Sequence, residues 1–375
     1  WPPLASTWAG GAALPVRFLR FAVAHLAMLP GGKMTLAAPP IWLIVVYELL
    51  LVLPLLPTDR LFNRRRRRLL WAAPVAAVGA ILFLPLLPVA PGSAAPPVTS
   101  LRVTLLSLGA GQCAVIEPPG RAPAELFDAG SSTVINLTSN IVAPFLSVEG
   151  QTSLDRIFLS HGDYDHISAA GELAAGYGAT SVLVSPHFRP NAVGSAADQH
   201  LLAELDRIGR TPRLVAIGDR VDLGGGAVVS VLWPPAGEVL NSNNAGLVMQ
   251  LRYAGRSILF PADIQDPGFA GVLRQAQLLK SDVLVAAHHG SSESLTPAFL
   301  RAVAPQAIIS SNASRLTSKQ KRFDRMAGST PLFRTSQYGA ISVTIDADGT
   351  LTLDTFLKGR QLLLGAWTHT GSTQR

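Results

Sequence analysis

Two long apolar runs stand out near the start of the chain. Residues 38–57 hold a single acid, Glu48, and residues 69–90 hold no charged side chain. Each run is close to the ~20 residues that cross a bilayer core as a helix. Their prolines, unusual in soluble helices, are tolerated in membrane spans. Trp42 and Trp71 stand near the run ends, where amphipathic rings anchor at a membrane interface. Residues 10–29 mix Arg17, Arg20 and His25 with apolar positions, the pattern of an amphipathic interfacial helix or a partial span. Residues 88–97 are Pro, Ala, Gly, Ser and Val only and read as an extended, semi-rigid linker.

After Val98 the pattern shortens. Strand-like segments are expected at 101–108, 113–117, 125–127, 155–159, 181–185, 213–217, 227–232, 246–253, 257–260, 282–286, 307–310, 331–335, 341–345 and 351–353. Helical spacing appears at 140–148, 196–208, 267–277, 296–303 and 318–327. Two runs of strands, each interrupted or followed by helices, suit two packed sheets with helices outside. The expected division is a membrane segment over 1–97, a folded domain over 98–360 and a tail over 361–375.

Charge sharpens this division. The net charge is +7 from 31 Lys+Arg and 24 Asp+Glu. Residues 1–97 carry 9 basic and 2 acidic side chains, so the remainder holds 22 of each sign. The basic excess therefore belongs to the N-terminal segment and is no nucleic-acid footprint of the whole chain. Arg60 and Arg64–Arg68 lie between the two apolar runs, a positive-inside signal that places this loop in the cytoplasm and everything after Pro97 outside the cytoplasmic membrane. One cysteine excludes a disulfide framework and a Cys-based zinc ribbon. The chain has no initiator Met and reads as the C-terminal part of a longer membrane protein.

The chemistry concentrates in three places. His161-Gly162-Asp163-Tyr164-Asp165-His166 follows an apolar strand and puts two imidazoles and two carboxylates within six residues. The strand at 257–260 leads to Asp263, and the strand at 282–286 leads to His288-His289-Gly290-Ser291. Imidazole and carboxylate without thiolate suit zinc, manganese or iron. Three strands that each end in metal-ligand chemistry point to one site at a common sheet edge.

Several shorter motifs stand around these three: Gly109-Ala110-Gly111-Gln112, Leu126-Phe127-Asp128-Ala129-Gly130, Asn243-Asn244-Ala245-Gly246 and Arg334-Thr335-Ser336-Gln337-Tyr338-Gly339. The order resembles the metallo-β-lactamase fold and, with the preceding apolar runs, the C-terminal part of the ComEC family of competence proteins. The resemblance implies an α/β architecture: transmembrane helices followed by a four-layer αββα domain. It implies that His161 and Asp163 hold one metal, that Asp165 and His166 hold a second, and that Asp263 bridges them. His289 then completes the second site with His288 beside it, the two being exchangeable. Asp165, Asp263 and His288 take catalytic roles, and Asn243, Asn244, His288, Ser291, Arg334 and Gln337 contact the substrate.

The implied function is hydrolysis of phosphodiesters in incoming single- or double-stranded DNA, degrading one strand, with one or two divalent ions. Manganese or zinc is expected, and magnesium is compatible. The implied setting is the bacterial inner membrane, multi-pass, with the C-terminal domain on the periplasmic or extracellular side, beside the rest of the competence channel and uptake machinery. Asp163 and Asn243-Asn244 stand where that fold often has histidines, which shifts preference from zinc toward manganese or magnesium. Two alternatives remain open: a non-catalytic DNA-binding or gating module, and a small-molecule phosphodiesterase or esterase. The basic run Arg315, Lys319, Lys321, Arg322, Arg325 reads either as a solvated face or as a phosphate-tracking surface.

Overall fold

Successive side chains of a strand point to opposite faces of its sheet, and here both faces are covered. Ala114 and Ile116 join a core between two sheets, whereas Cys113 and Val115 of the same strand join a cluster beneath helices. Ile258 and Phe260 likewise face the inter-sheet core, and Leu259 between them faces a third cluster. This is why the strands read as near-continuous apolar runs. The computed structural model describes residues 98–364 apart from Arg121, Lys358 and Arg360.

In chain order the first sheet takes β1 (Leu101–Leu105), β2 (Gly111–Glu117), β3 (Ala124–Ser131), β4 (Leu154–Leu159), β5 (Ser181–Val184) and β6 (Arg213–Leu214). The second takes β7 (Arg220–Gly224), β8 (Ala227–Trp233), β9 (Val248–Tyr253), β10 (Arg256–Phe260), β11 (Val283–Val285), β12 (Ala307–Ser310) and β13 (Leu332–Arg334). The chain then returns to the first sheet with β14 (Ile341–Ile345), β15 (Leu351–Thr355) and β16 (Gln361–Leu364). The orders are β16-β15-β14-β1-β2-β3-β4-β5-β6 and β13-β12-β11-β10-β9-β8-β7. Pairing is parallel from β3 to β6 and from β10 to β13, and antiparallel elsewhere.

The helices are α1 (Ala143–Val148), α2 (Tyr164–Ile167), α3 (Ala170–Gly176), α4 (Phe188–Asn191), α5 (Ala196–Arg207), α6 (Gly268–Leu273), α7 (Pro297–Val303), α8 (Ser318–Ala327) and α9 (Thr335–Tyr338). Leu146, Leu173, Leu201 and Leu205 cover the first sheet, while Phe269, Phe299 and Phe323 cover the second. The layers are therefore helix, sheet, sheet, helix. Parallel strands deliver their C-terminal ends to one edge, which is where open α/β sheets bind ligands. The loops after β4, β10 and β11 leave from that edge.

Helix α8 has the predicted bounds, and its start is fixed by a capping box between Thr317 and Gln320. The segment expected as a helix over 140–148 begins as a π turn, Thr138–Val142, before α1. The pattern did not reveal β7, α3 or the four-residue helices α2, α4 and α9: the shortest elements give periodicity too few positions to register, and α3 is mostly Ala and Gly. Strand pairing continues past residue 360, since β16 falls inside the segment expected as tail. Cys113 is buried among apolar side chains, and burial pushes its thiol pKa up.

Among the described residues no helix is long and apolar enough to cross a membrane. The expected spans at 38–57 and 69–90, the interfacial helix, the arginine loop and the linker lie outside the described residues, as does the tail beyond Leu364.

Candidate metal centre

The first donors come from the turn after β4. His161 follows it after Ser160, Asp163 occupies the position preceding α2, and Asp165 and His166 lie on α2. This turn packs onto Gly130 at the end of β3. A Cβ on Gly130 would meet the backbone of Asp165 and His166 at 2.5 Å, so only glycine permits the approach. The second sheet supplies Asp263 after β10 and His288-His289 after β11. His288 and His289 both have positive φ, 49° and 52°, as do Ala262 at 54° and Asp128 at 58°. Non-glycine residues in this region are strained, and such strain clusters at functional sites.

The donors converge. His166 Nε2 is 3.2 Å from His289 Nε2 and 3.4 Å from Asp263 Oδ2. His289 Nε2 is 3.3 Å from Asp165 Oδ2 and 3.7 Å from Asp263 Oδ2. His161, His166 and Asp263 offer donor atoms within 4.8 Å of one another, and so do Asp165, His166 and His289. His161 Nε2, Asp263 Oδ1 and His289 Nδ1 are buried and have no hydrogen-bond partner. Buried polar atoms are ordinarily satisfied. Imidazole nitrogens and carboxylate oxygens gathered in this way fit a divalent cation, which would satisfy the orphaned His161 Nε2.

The electrostatics agree. Burial disfavours charge on Asp263, but His166 and His289 outweigh it and hold its carboxyl well below the usual range. Burial likewise opposes charge on His166, yet Asp263 and Asp128 hold its pKa well above that of a free imidazole. Asp165 is brought down to about 2, burial being outweighed by His289 and His166.

An outer layer orients the inner one. Asp128 is fully buried in β3. Its Oδ2 accepts from His166 Nδ1 at 2.8 Å, from Ser160 Oγ at 2.9 Å and from Gln112 Nε2 at 3.1 Å. Its Oδ1 accepts from the Ser160 backbone N–H at 2.7 Å. Asp128 thereby holds one ring proton on Nδ1, so the proton that a cation displaces is the one on Nε2, which faces the donor cluster. Gln265 Nε2 donates to His288 Nδ1 at 2.8 Å, and Gln320 Nε2 donates to the His289 carbonyl at 3.0 Å. None of these supporting roles was assigned from the sequence, although Gln112 and Asp128 stand in motifs already singled out.

The corner holding Asp163 is looser. His161 Nε2 lies 3.5 Å from Asp163 Oδ2, and the Asp163 side chain is 47% exposed. Ser242 Oγ donates to Asp163 Oδ1 at 2.9 Å. Asp163 belongs to neither of the close donor groups. Asp198 of α5 presses on Gly162, where a Cβ would meet its carboxylate at 2.0 Å, and burial raises the Asp198 carboxyl to about 6.

His288, expected at the substrate, is half-buried with Nε2 3.9 Å from Asp263 Oδ2. Asn244, Arg334 and Ser291 are occupied otherwise. Asn244 is buried, and its Oδ1 accepts from the backbone N–H groups of Gln265 at 3.0 Å and Gly268 at 3.2 Å. Arg334 is 2% exposed, donates to Ser310 Oγ and Asn312 Oδ1, and pairs with Asp324. Ser291 Oγ accepts from the backbone N–H of Glu293 at 3.4 Å. Asn243 opens a 3-10 turn before β9. Gln337 is exposed on α9 and lies outside the donor set.

Residues 106–308, more than half of the chain, match the family described as Metallo-beta-lactamase superfamily. The chain belongs to the metallo-beta-lactamase superfamily. Among curated proteins this superfamily member is similar to ComE operon protein 3 of Bacillus subtilis, 25% identical over 220 residues, 56% of this chain and 28% of that one. It is also similar to Competence protein ComA of Neisseria gonorrhoeae, 27% identical over 355 residues, 92% of this chain and 45% of that one. A match of that extent takes in much of residues 1–97 besides the described domain. The resemblance to the ComEC competence family drawn from the motifs thus meets curated competence relatives. The chain spans less than half the length of either. Among solved structures it is similar to Igni18, a metallo hydrolase from Ignicoccus hospitalis KIN4/I, with a TM-score of 0.42 and 13% identity over 65% of this chain and 99% of that one.

Proposed function

We propose that this domain is a metal-dependent hydrolase of phosphodiester bonds in DNA, carried on the C-terminal part of a membrane-bound uptake channel. The observation that carries the reading is the convergence of His166 Nε2, Asp263 Oδ2 and His289 Nε2, each delivered by a different strand end, at 3.2 to 3.7 Å. His161, Asp163, Asp165, His166, Asp263 and His289 would hold one or two ions, manganese or zinc being the leading candidates, with His166 common to both close donor groups. A bound divalent ion supplies Lewis acidity toward a phosphoryl oxygen and a lowered pKa for coordinated water.

The protein's own groups do the rest. Asp128 holds the His166 tautomer and ring plane. Asp165 and Asp263 are ionised, so they repel anions from every position except that next to the cation. The Gln265 amide holds His288 through Nδ1, which leaves Nε2, 3.9 Å from Asp263 Oδ2, to donate to a diester oxygen. Asn244 and Arg334, being occupied, act by holding the loops that carry Gln265 and the His289-Gly290 turn rather than by touching substrate. The apolar runs at 38–57 and 69–90 and the similarity to competence proteins support the membrane setting and the DNA substrate, with the domain on the outer side.

The test is metal content together with hydrolysis of single-stranded DNA by the full chain and its Asp263→Ala variant. Bound metal and cleavage in the first and neither in the second are expected. An active Asp263→Ala variant, or a wild type with no cleavage in Mn²⁺, Mg²⁺ or Zn²⁺, contradicts the proposal.

A further inference from the structure

A second feature lies against the ligand loops. A cleft of about 800 Å³ is lined on one side by Gln265, Asp266 and the segment Ser292–Thr296, and on the other by the start of α8 with Lys319, Arg322 and Arg325. Its inner wall is continuous with the centre. Gln265 is the residue bonded to His288, Ser292 and Glu293 follow His289-Gly290-Ser291 directly, and Gln320 of α8 is bonded to the His289 carbonyl. Lys319, Arg322 and Arg325 are spaced by three on α8 and share one side of it. Arg315 and Lys321, grouped with them in the sequence, do not line the cleft.

The cations of this cleft are exposed, and among the described residues one ion pair engages them. Lys319 Nζ pairs with Glu293 at 2.7 Å, both side chains being more than half exposed at 56% and 52%. Such a pair is weak and exchangeable. The Glu293 carboxylate therefore occupies the place of an anion that competes for Lys319. Among the described residues no aromatic side chain lines the cleft, so none of them offers bases a stacking platform. A row of cations without stacking platforms fits a sugar-phosphate backbone read without regard to sequence.

We propose that this cleft is a subsite for the phosphodiester backbone of a polynucleotide strand, which it leads to the metal centre, with Glu293 standing in for a phosphate when the strand is absent. The proposal rests on the hydrolase reading above for the direction of the strand but not for its binding. Fluorescence anisotropy of a labelled oligothymidylate with the full chain in EDTA measures binding without cleavage. Arg322→Gln/Arg325→Gln is expected to weaken binding about tenfold at low salt and to make log K against log salt shallower by ~1.4, ~0.7 for each phosphate of a single strand left without its arginine. Glu293→Gln is expected to tighten binding, a gain that misfolding does not produce. An unchanged slope and affinity in the double variant, or weaker binding in Glu293→Gln, overturns the proposal.

Hydrolysis of bis(p-nitrophenyl) phosphate by the wild type with Mn²⁺ separates the two readings. If the wild type turns over this small diester while the double variant binds the strand normally, the subsite falls alone. If the wild type turns over nothing while the double variant loses the strand, the subsite stands and the hydrolase reading falls.

Discussion

The donor cluster has two corners, and they are built differently. At one, His166, Asp263 and His289 are buried or nearly so, and Asp128 fixes the ring of His166 from behind. At the other, Asp163 is about half exposed, with His161 Nε2 at 3.5 Å and the Ser242 hydroxyl at 2.9 Å. Asn244, which stands near where a further ligand was expected, closes a loop instead. The inner corner is pre-organised by a second layer of hydrogen bonds, and the outer corner is left to solvent. Ligand count alone hides this difference. The inner corner should set affinity for the first ion, and the outer corner should tune the second.

The predictions test that contrast, from large effects to small. Replacing Asp263 by Ala removes the carboxylate that lies 3.4 Å from His166 Nε2 and 3.7 Å from His289 Nε2 and should take bound metal and diester hydrolysis to background, read by metal analysis and a turnover assay. Asp128→Asn leaves every inner donor in place but disturbs the partner of His166 Nδ1. Competition against a chromogenic chelator should show metal affinity falling about 10–100-fold. If Asp128→Asn leaves affinity unchanged, the argument from orientation is wrong.

The pH dependence follows from His166. Its pKa is raised in the metal-free protein, so a cation must displace a proton from it. Metal affinity should rise by about tenfold per pH unit below that elevated pKa and level off above it. The sign for folding is opposite. The charged His166 stabilises the metal-free protein fully below about pH 6.5, and that contribution is lost as pH rises through the elevated value. Asp263 contributes above about pH 3.9 and loses its contribution as pH falls through its depressed value. Thermal melts of metal-free protein from neutral to alkaline pH should therefore show a decline that bound metal abolishes.

The smaller effects separate structure from chemistry. Asn244→Ala strands two buried backbone N–H groups and should cost about 1–3 kcal/mol of stability in chemical denaturation while leaving metal content unchanged. Asp163→Ala should lower affinity for a second ion less than Asp128→Asn lowers it for the first, as isothermal titration will show. A larger loss at Asp163 than at Asp128 would reverse the ranking of the two corners.

Much of this arrangement can be read from the chain because local pattern and function coincide. His161 to His166, Asp263 and His288-His289 each follow an apolar strand, and the end of a parallel strand is where the fold gathers its loops. The outer layer is harder to read. Asp128 meets His166 across 38 residues, and nothing in the local pattern of β3 marks it as a partner. Asn244 and Arg334 carry groups that suit a substrate, so the sequence points outward. The folded chain turns both inward, Asn244 onto the backbone N–H groups of Gln265 and Gly268 and Arg334 onto Ser310, Asn312 and Asp324. The basic run on α8 illustrates the same limit: helical spacing identifies three cations on one side, but only the fold places them beside the ligand loops.

The most direct measurement is anomalous diffraction from crystals of this protein grown with Mn²⁺. The account predicts a peak within coordination distance of His166 Nε2, Asp263 and His289. A well-ordered crystal with no peak there, or with the ion bound elsewhere, would contradict it.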